Sequence, residues 1–401
     1  MKASEMPSGG ILQGVNVVGC STAVAAPFAS AMFSENGANV IHIENHKVMG
    51  DVLKHYGHGF CMEHRNQRSL GLDLKNEAGK GIFRKTIAQA DIFIESSKPG
   101  TWDRLGFDDE TLWGINPALV IVHVSGFGQS GDPSYVTQPA YDMIGQAFSG
   151  TLSLNGPATG APMLTKPYTC DYFTGFTALW SALAALLKAR ETGVGESIDV
   201  ALFEAAARVQ AGSFADGITN GIQPKRIGNA DAGMATEVVY ATKDDKWVVL
   251  AIASVPQSFI ETIGLSEDPD FNPAGFVRRN EPRAQKYMDA VESYCLTHTV
   301  DEILADSARC GCACSPVMTY DMIKENPHYA ARETIQEWFD PFADHDVKGV
   351  GNVPKFKNNP GAIYRGAPTL GMDNDDILAE LGYSAEEIAG LYAEKAIGKD
   401  K

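Results

Sequence analysis

The first half of the chain alternates short β-rich runs with helix-length segments, and that alternation restricts it to a parallel sheet wrapped by helices. Val15 to Val18, Val40 to Ile43, Leu70 to Leu74, Ile92 to Ile94 and Leu119 to Val124 are expected strands. They are mostly apolar, with single polar residues such as Asn16, His42 and His123, as strands need when both faces of a sheet are covered. Helices are expected near Pro27 to Glu35, Glu77 to Ala90 and Asp109 to Trp113. Strand, helix, strand at this spacing gives an α/β fold with a doubly wound parallel sheet. Pro27 suits a first helical turn, and Gly37 suits the residue after a helix end.

The longest helical pattern runs from Phe173 to Arg190, is closed by Gly193, and leads into a strand-and-helix segment from Ser197 to Gln210. Residues 211–233 are rich in Gly, Asn, Asp and Pro and read as a linker out of a large domain spanning residues 1–210. Glu237 to Tyr240 and Trp247 to Ala251 flank the polar turn Lys243 to Lys246, a hairpin pattern. With helices around Gln257 to Ile263 and Arg283 to Leu296, residues 234–325 form a smaller α+β domain. Residues 326–352 read as a polar return linker and Lys355 to Gly361 as irregular. The segment 353–401 ends in helices at Asp373 to Leu381 and from Ser384, where Ser384 and Glu387 have capping-box spacing.

Charge narrows the partners. The 401 residues carry 33 basic against 50 acidic side chains, a formal charge of −17, which excludes a non-specific nucleic-acid binder. The apolar stretch Ala178 to Leu187 is about half a bilayer span, so no membrane partner is expected. Met1 to Gly10 lacks the pattern of a secretory signal, and the cysteine count, seven, is odd. A cytoplasmic protein with reduced thiols is the expectation.

Four features could carry chemistry. Gly126 to Gly131 matches a dinucleotide fingerprint, but Asp132-Pro133-Ser134 and Pro139 predict that no helix opens behind it, so a tight loop is expected. Cys310, Cys312 and Cys314 alternate without the paired spacing of zinc thiolates, so packing is expected and no metal. Asp171 stands where the longest helix begins. It suits an N-cap, and the same N–H groups and helix dipole would hold a reactive carboxylate ionised. Lys98 and Arg104 flank Pro99-Gly100 after the fourth strand, at the edge where open α/β sheets bind ligands, and they give an otherwise acidic chain local positive charge for a polyanion.

In order along the chain, Gly14 to Val18, Gly37 to Glu44, Arg68 to Lys75, Asp103 to Phe107, the Asp171 segment, Gly193 to Val200 and Pro354 to Gly361 resemble the class III CoA-transferases. Ser125 to Gln129, Gln146 to Gly150 and Pro167 to Gly175 are most similar to the carnitine CoA-transferases of that class. The resemblance implies a Rossmann-like large domain built from both chain ends, a smaller central domain, and a homodimer of two interlocked rings. It also implies that Asp171 is the nucleophile that takes coenzyme A from an acyl-CoA to a free carboxylic acid such as carnitine, with no permanently bound cofactor. Val24, Ala25, His46, Asp73, Leu74, Lys75, Ser97, Lys98, Arg104 and Tyr141 fall at the family's CoA-contacting positions. Val24 replaces a glutamine of the formyl-CoA enzyme, and the glycine-run loop is here Gly228 to Gly233. The class also holds α-methylacyl-CoA racemases, whose histidine aligns with Tyr141; a phenol with a pKa near 10 is a poor base in its place. A non-catalytic CoA-binding protein is the remaining alternative.

Overall fold

A computed structural model describes residues 1–48 and 50–400. Its central element is a six-stranded sheet of β1 (Asn16–Cys20), β2 (Asn39–Glu44), β3 (Arg68–Gly71), β4 (Ile92–Glu95), β5 (Val120–Ser125) and β6 (Glu196–Ala201). The strands lie in the order 3-2-1-4-5-6, all parallel, so chain direction across the sheet reverses between β1 and β4. The apolar run Ile92 to Ile94 has the expected cause: Ile92 and Ile94 enter the core on one face and Phe93 the core on the other.

The helices of this unit, in chain order, are α1 (Ala25–Glu35), α2 (Gly59–Glu63), α3 (Glu77–Ile87), α4 (Thr101–Leu105), α5 (Asp109–Ile115), α6 (Pro133–Val136), α7 (Asp142–Phe148), α8 (Thr169–Thr192), α9 (Leu202–Arg208) and α10 (Gly212–Asn220). Ala26, Ala29 and Phe33 of α1 and Ala178, Ala182 and Leu186 of α8 cover one face; Ile82 and Phe83 of α3, with Ile377 and Leu378 from the C-terminal segment, cover the other. By length and composition α8 could cross a bilayer; here its small-residue stripe lies in the sheet core. Gly175 lets α1 and α8 touch, because a Cβ there would stand 2.6 Å from the Ala25 carbonyl oxygen and 2.7 Å from the Phe28 ring.

The structure divides into a unit of residues 1–151, 165–220 and 328–401 and a smaller unit of residues 152–164 and 221–327. In the smaller unit, β7 (Glu237–Ala241), β8 (Trp247–Ala251) and β9 (Cys314–Pro316) form an antiparallel sheet. It packs with α11 (Gln257–Thr262), α12 (Ala284–Thr297) and α13 (Val300–Cys310). Cys310 is buried in that core and Cys312 and Cys314 pack against it.

Several local expectations are corrected. Residues 211–233 are not all linker, since α10 occupies the first part; its glycines and asparagine hid an apolar pair, Phe214 and Ile218, one turn apart. Residues 326–352 hold a hairpin, β10 (Ile335–Asp340) with β11 (His345–Val350), which buries Trp338 and Val347 beside Cys61. Asp340 closes its turn by accepting from the Phe342 and Ala343 N–H groups. β3 stops at Gly71, not Leu74, because Leu72 bridges to Ile397 and the Asp73 N–H donates to the Ala396 carbonyl. A helix does open behind Gly131: α6 has Pro133 at its first position, where no N–H is needed, and Asp132 caps it through the Ser134 N–H.

Replacing Gly175 by Ala should lower the denaturant midpoint by about 1–3 kcal/mol of stability, since the added methyl must push α1 off α8. An unchanged midpoint would mean the two helices can part at no cost.

Candidate active site

A cavity of about 180 Å³ opens at the carboxyl ends of β1, β4 and β5, where the sheet reverses. It brings together Val24, Ala25, Ser97, Lys98, Tyr141 and Asp171. The loop before α1 turns through Ala23 at φ 68°, a left-handed conformation. Asp51, fully buried, holds that turn by accepting from the Ala23 N–H (3.1 Å) and the Leu53 N–H (2.8 Å). Val24 is the N-cap of α1 and supplies no side-chain oxygen. The Ala25 and Ala26 N–H groups precede the first intrahelical donor, Phe28, so the cavity wall lies at the positive end of a helix dipole.

Asp171 differs from its expected role. α8 begins at Thr169, so Asp171 is the third helical residue and not the cap. The capping acceptor comes from another helix: Asp142 Oδ1 accepts from the Cys170 N–H (2.8 Å) and the Asp171 N–H (3.3 Å). Gln146 donates to Asp142 Oδ2 at 2.6 Å and is itself fixed by Thr165. Gly145 allows this approach, since a Cβ on it would strike Cys170 Sγ at 2.5 Å. The expectation that the helix end keeps Asp171 ionised is therefore reversed. Burial, then the neighbouring Asp142 carboxylate, push its pKa from 3.8 to about 7. An acid of that pKa keeps a substantial ionised fraction near neutrality and is a stronger base than an ordinary aspartate.

A second cavity of about 330 Å³ shares Thr22 and Ser97 with the first. Leu74, Lys75 and Trp102 line it. Arg104, His46 and Asp73 line neither cavity. Arg104 donates to Thr101 Oγ1 (3.0 Å), and Thr101 is part of the second lining. His46 contacts the Lys395 carbonyl, and Asp73 takes the Lys47 ammonium and the Lys75 N–H. Sequence reading missed Asp142 and Asp51. Their signal is tertiary, because Asp142 lies 28 residues from the Cys170 N–H and Asp51 28 residues from the Ala23 N–H.

The site is thus a buried carboxyl group of raised pKa in a cavity at the switch point of a Rossmann-type sheet, beside the start of α1. Residues 12–374 match the family model "CoA-transferase family III", and the chain belongs to that family. It is 39% identical over 394 residues to the bile acid CoA-transferase BaiK of Clostridium scindens, covering 96% of this chain and 89% of that one. It is 40% identical to an L-carnitine CoA-transferase of Proteus mirabilis, covering 98% of each. A CAIB/BAIF family protein from Brucella suis superposes with a TM-score of 0.81 at 26% identity, covering 93% of this chain and all of that one. The protein is thus a CoA-transferase, whose substrates are CoA thioesters and carboxylic acids.

Because the folded state holds the Asp171 proton more tightly than the unfolded chain, its contribution to stability falls as pH rises from about 4 to about 7. Asp171→Asn should therefore raise stability at pH 8 by on the order of 4 kcal/mol and change it little at pH 4. Equal effects at the two pH values in thermal unfolding would show that burial does not hold this proton.

Proposed function

We propose that Asp171 exchanges CoA between an acyl-CoA and a free acid through covalent intermediates. Its ionised carboxylate attacks the thioester carbonyl, forming a mixed anhydride and expelling CoA thiolate. The thiolate attacks the aspartyl carbonyl, giving an aspartyl-CoA thioester and releasing the donor carboxylate. The acceptor carboxylate attacks that thioester, again giving an anhydride and thiolate, and attack of the thiolate on the acceptor's acyl carbon yields the new acyl-CoA and frees Asp171. One thioester replaces another, so the exchange needs no external energy source. The observation that carries this reading is the buried Asp171 carboxyl in a cavity it shares with the uncapped start of α1, whose positive dipole end suits a tetrahedral oxyanion.

The second cavity suits the nucleotide end of CoA, with Lys75 in its wall, Lys98 in the adjoining wall and Arg104 at its edge through Thr101. The acid proposed is carnitine or a related betaine, supported by carnitine CoA-transferase relatives that match nearly end to end. Tyr168, Tyr172, Phe173 and Trp180, near Asp171 in sequence, do not form an aromatic pocket beside it. None of the four lines the Asp171 cavity; Tyr172 donates to Glu63 and Trp180 is 62% exposed. Tyr141, in the wall, is the aromatic face available to a trimethylammonium group. Exposed Phe176, Trp180 and Leu187 along α8 support a homodimer, interlocked as the family resemblance implies.

Asp171→Asn should abolish transfer, and hydroxylamine should trap the aspartyl intermediate in the unaltered enzyme only; near-normal turnover by the variant would end the proposal. kcat/KM should rise with pH through about 7 as Asp171 ionises. A panel of acids offered with one acyl-CoA, read by product mass, should show carnitine or γ-butyrobetaine as acceptor, whereas preference for a bile acid would overturn the acid named. Exchange of the α-hydrogen for deuterium without an acceptor acid would point instead to a racemase. Binding of labelled CoA without exchange would point to a non-catalytic CoA-binding protein.

A further inference from the structure

Glu95 ends β4 and is 1% exposed. Its Oε2 accepts from the Ser97 N–H (2.5 Å) and from the Trp102 indole N–H (2.8 Å), while its Oε1 lies 2.8 Å from His123 Nδ1. The other ring nitrogen of His123 lies 3.0 Å from Asp109 Oδ1, at the start of α5. With a carboxylate on each side, both ring nitrogens donate, and the ring is a cation.

The three groups that converge on Glu95 and its loop are cavity walls. Ser97 lines both cavities, and Trp102 lines the second. Thr22, the other shared residue, is tied to the same loop because its N–H donates to Ser96 Oγ (3.1 Å). A carboxylate buried at the base of this ridge would be costly without a counter-charge, and His123 is that charge. We propose that the Glu95–His123 pair is a positioning device for acyl-CoA, fixing the Ser96–Lys98 ridge and the Trp102 wall so that the thioester and nucleotide ends are held at one separation. This rests on the acyl-CoA reading of the two cavities. Glu95 and His123 are positioning residues, since they act through Ser97 and Trp102.

Burial by itself would lower the His123 pKa, but its hydrogen bonds to Asp109 and Glu95 outweigh that and raise it to about 9. The other groups around the pair are few. Asp199 of β6 is in register with His123 but accepts from the Gln129 N–H; Cys20 of β1 is in register with Glu95; Ser197 of β6 bonds to Asp109. The pair is intact at neutral pH and is lost as pH rises through about 9.

The experiment measures kcat and KM for acyl-CoA from pH 7.5 to 9.5 in the unaltered enzyme and in His123→Gln. The unaltered enzyme should show KM rising above pH 9 with kcat nearly flat. His123→Gln should show KM raised about tenfold at pH 7.5, the loss of one charge-assisted contact, with no further alkaline rise. A KM within twofold of the unaltered enzyme, an alkaline rise that persists in the variant, or a parallel fall in kcat would overturn the proposal. Should His123→Gln not fold, Glu95→Gln/His123→Gln, which removes both buried charges together, replaces it with the same expected and overturning results. Hydroxylamine trapping in the unaltered enzyme separates the two readings. Trapping with an unchanged variant KM defeats the positioning role alone, and absence of trapping with the expected KM changes defeats the covalent mechanism alone.

Discussion

The contact on which the site depends is that of the Asp142 carboxylate with the first N–H groups of α8. It places the start of a long core helix against a separate short one, and it sets a negative charge beside Asp171. The cap therefore also adds to the pKa elevation that burial begins. Had Asp171 capped its own helix, its oxygens would be committed to backbone donors and its carboxylate would be a weak base. Because Asp142 takes the cap, the Asp171 carboxyl is left to the cavity, and desolvation makes it more basic than an exposed aspartate.

Close packing makes this possible. Gly175 brings α8 onto α1, and Gly145 brings α7 onto Cys170, so three helix beginnings converge within one cavity wall. The dipole ends of α1 and α8 add positive potential where an oxyanion would form. The sheet beneath provides the rigidity: β4 and β5 are buried along nearly their whole length, and the loops leaving them are pinned by carboxylates, Glu95 on Ser97 and Asp199 on Gln129.

How much could be read beforehand varied with the range of the interactions. Ile92 to Ile94 and Leu119 to Val124, the latter apolar apart from His123, declare themselves because a strand covered on both faces needs apolar side chains on both, whatever its neighbours. The hairpin around Trp338 was missed because its exposed charges mask an alternation that only the covering helix α2 makes meaningful. α10 was missed because its glycines and asparagine outweigh a two-residue apolar signal. The start of α8 was misplaced by four residues because Thr169 and Cys170 are poor helix formers whose N–H groups need an acceptor contributed from elsewhere.

The sequence by itself determined the layered parallel architecture and the family, since these are carried by local patterns and their order along the chain. Tertiary structure decided that Asp171 is buried with its pKa raised, that His123 is held between Glu95 and Asp109, and that His46, Asp73 and Arg104 stand outside the cavity linings. The physical reason is that burial and charge proximity belong to pairs of residues, and the pairs that matter here, Asp142 with Asp171 and Glu95 with His123, are joined only by helix packing and strand register.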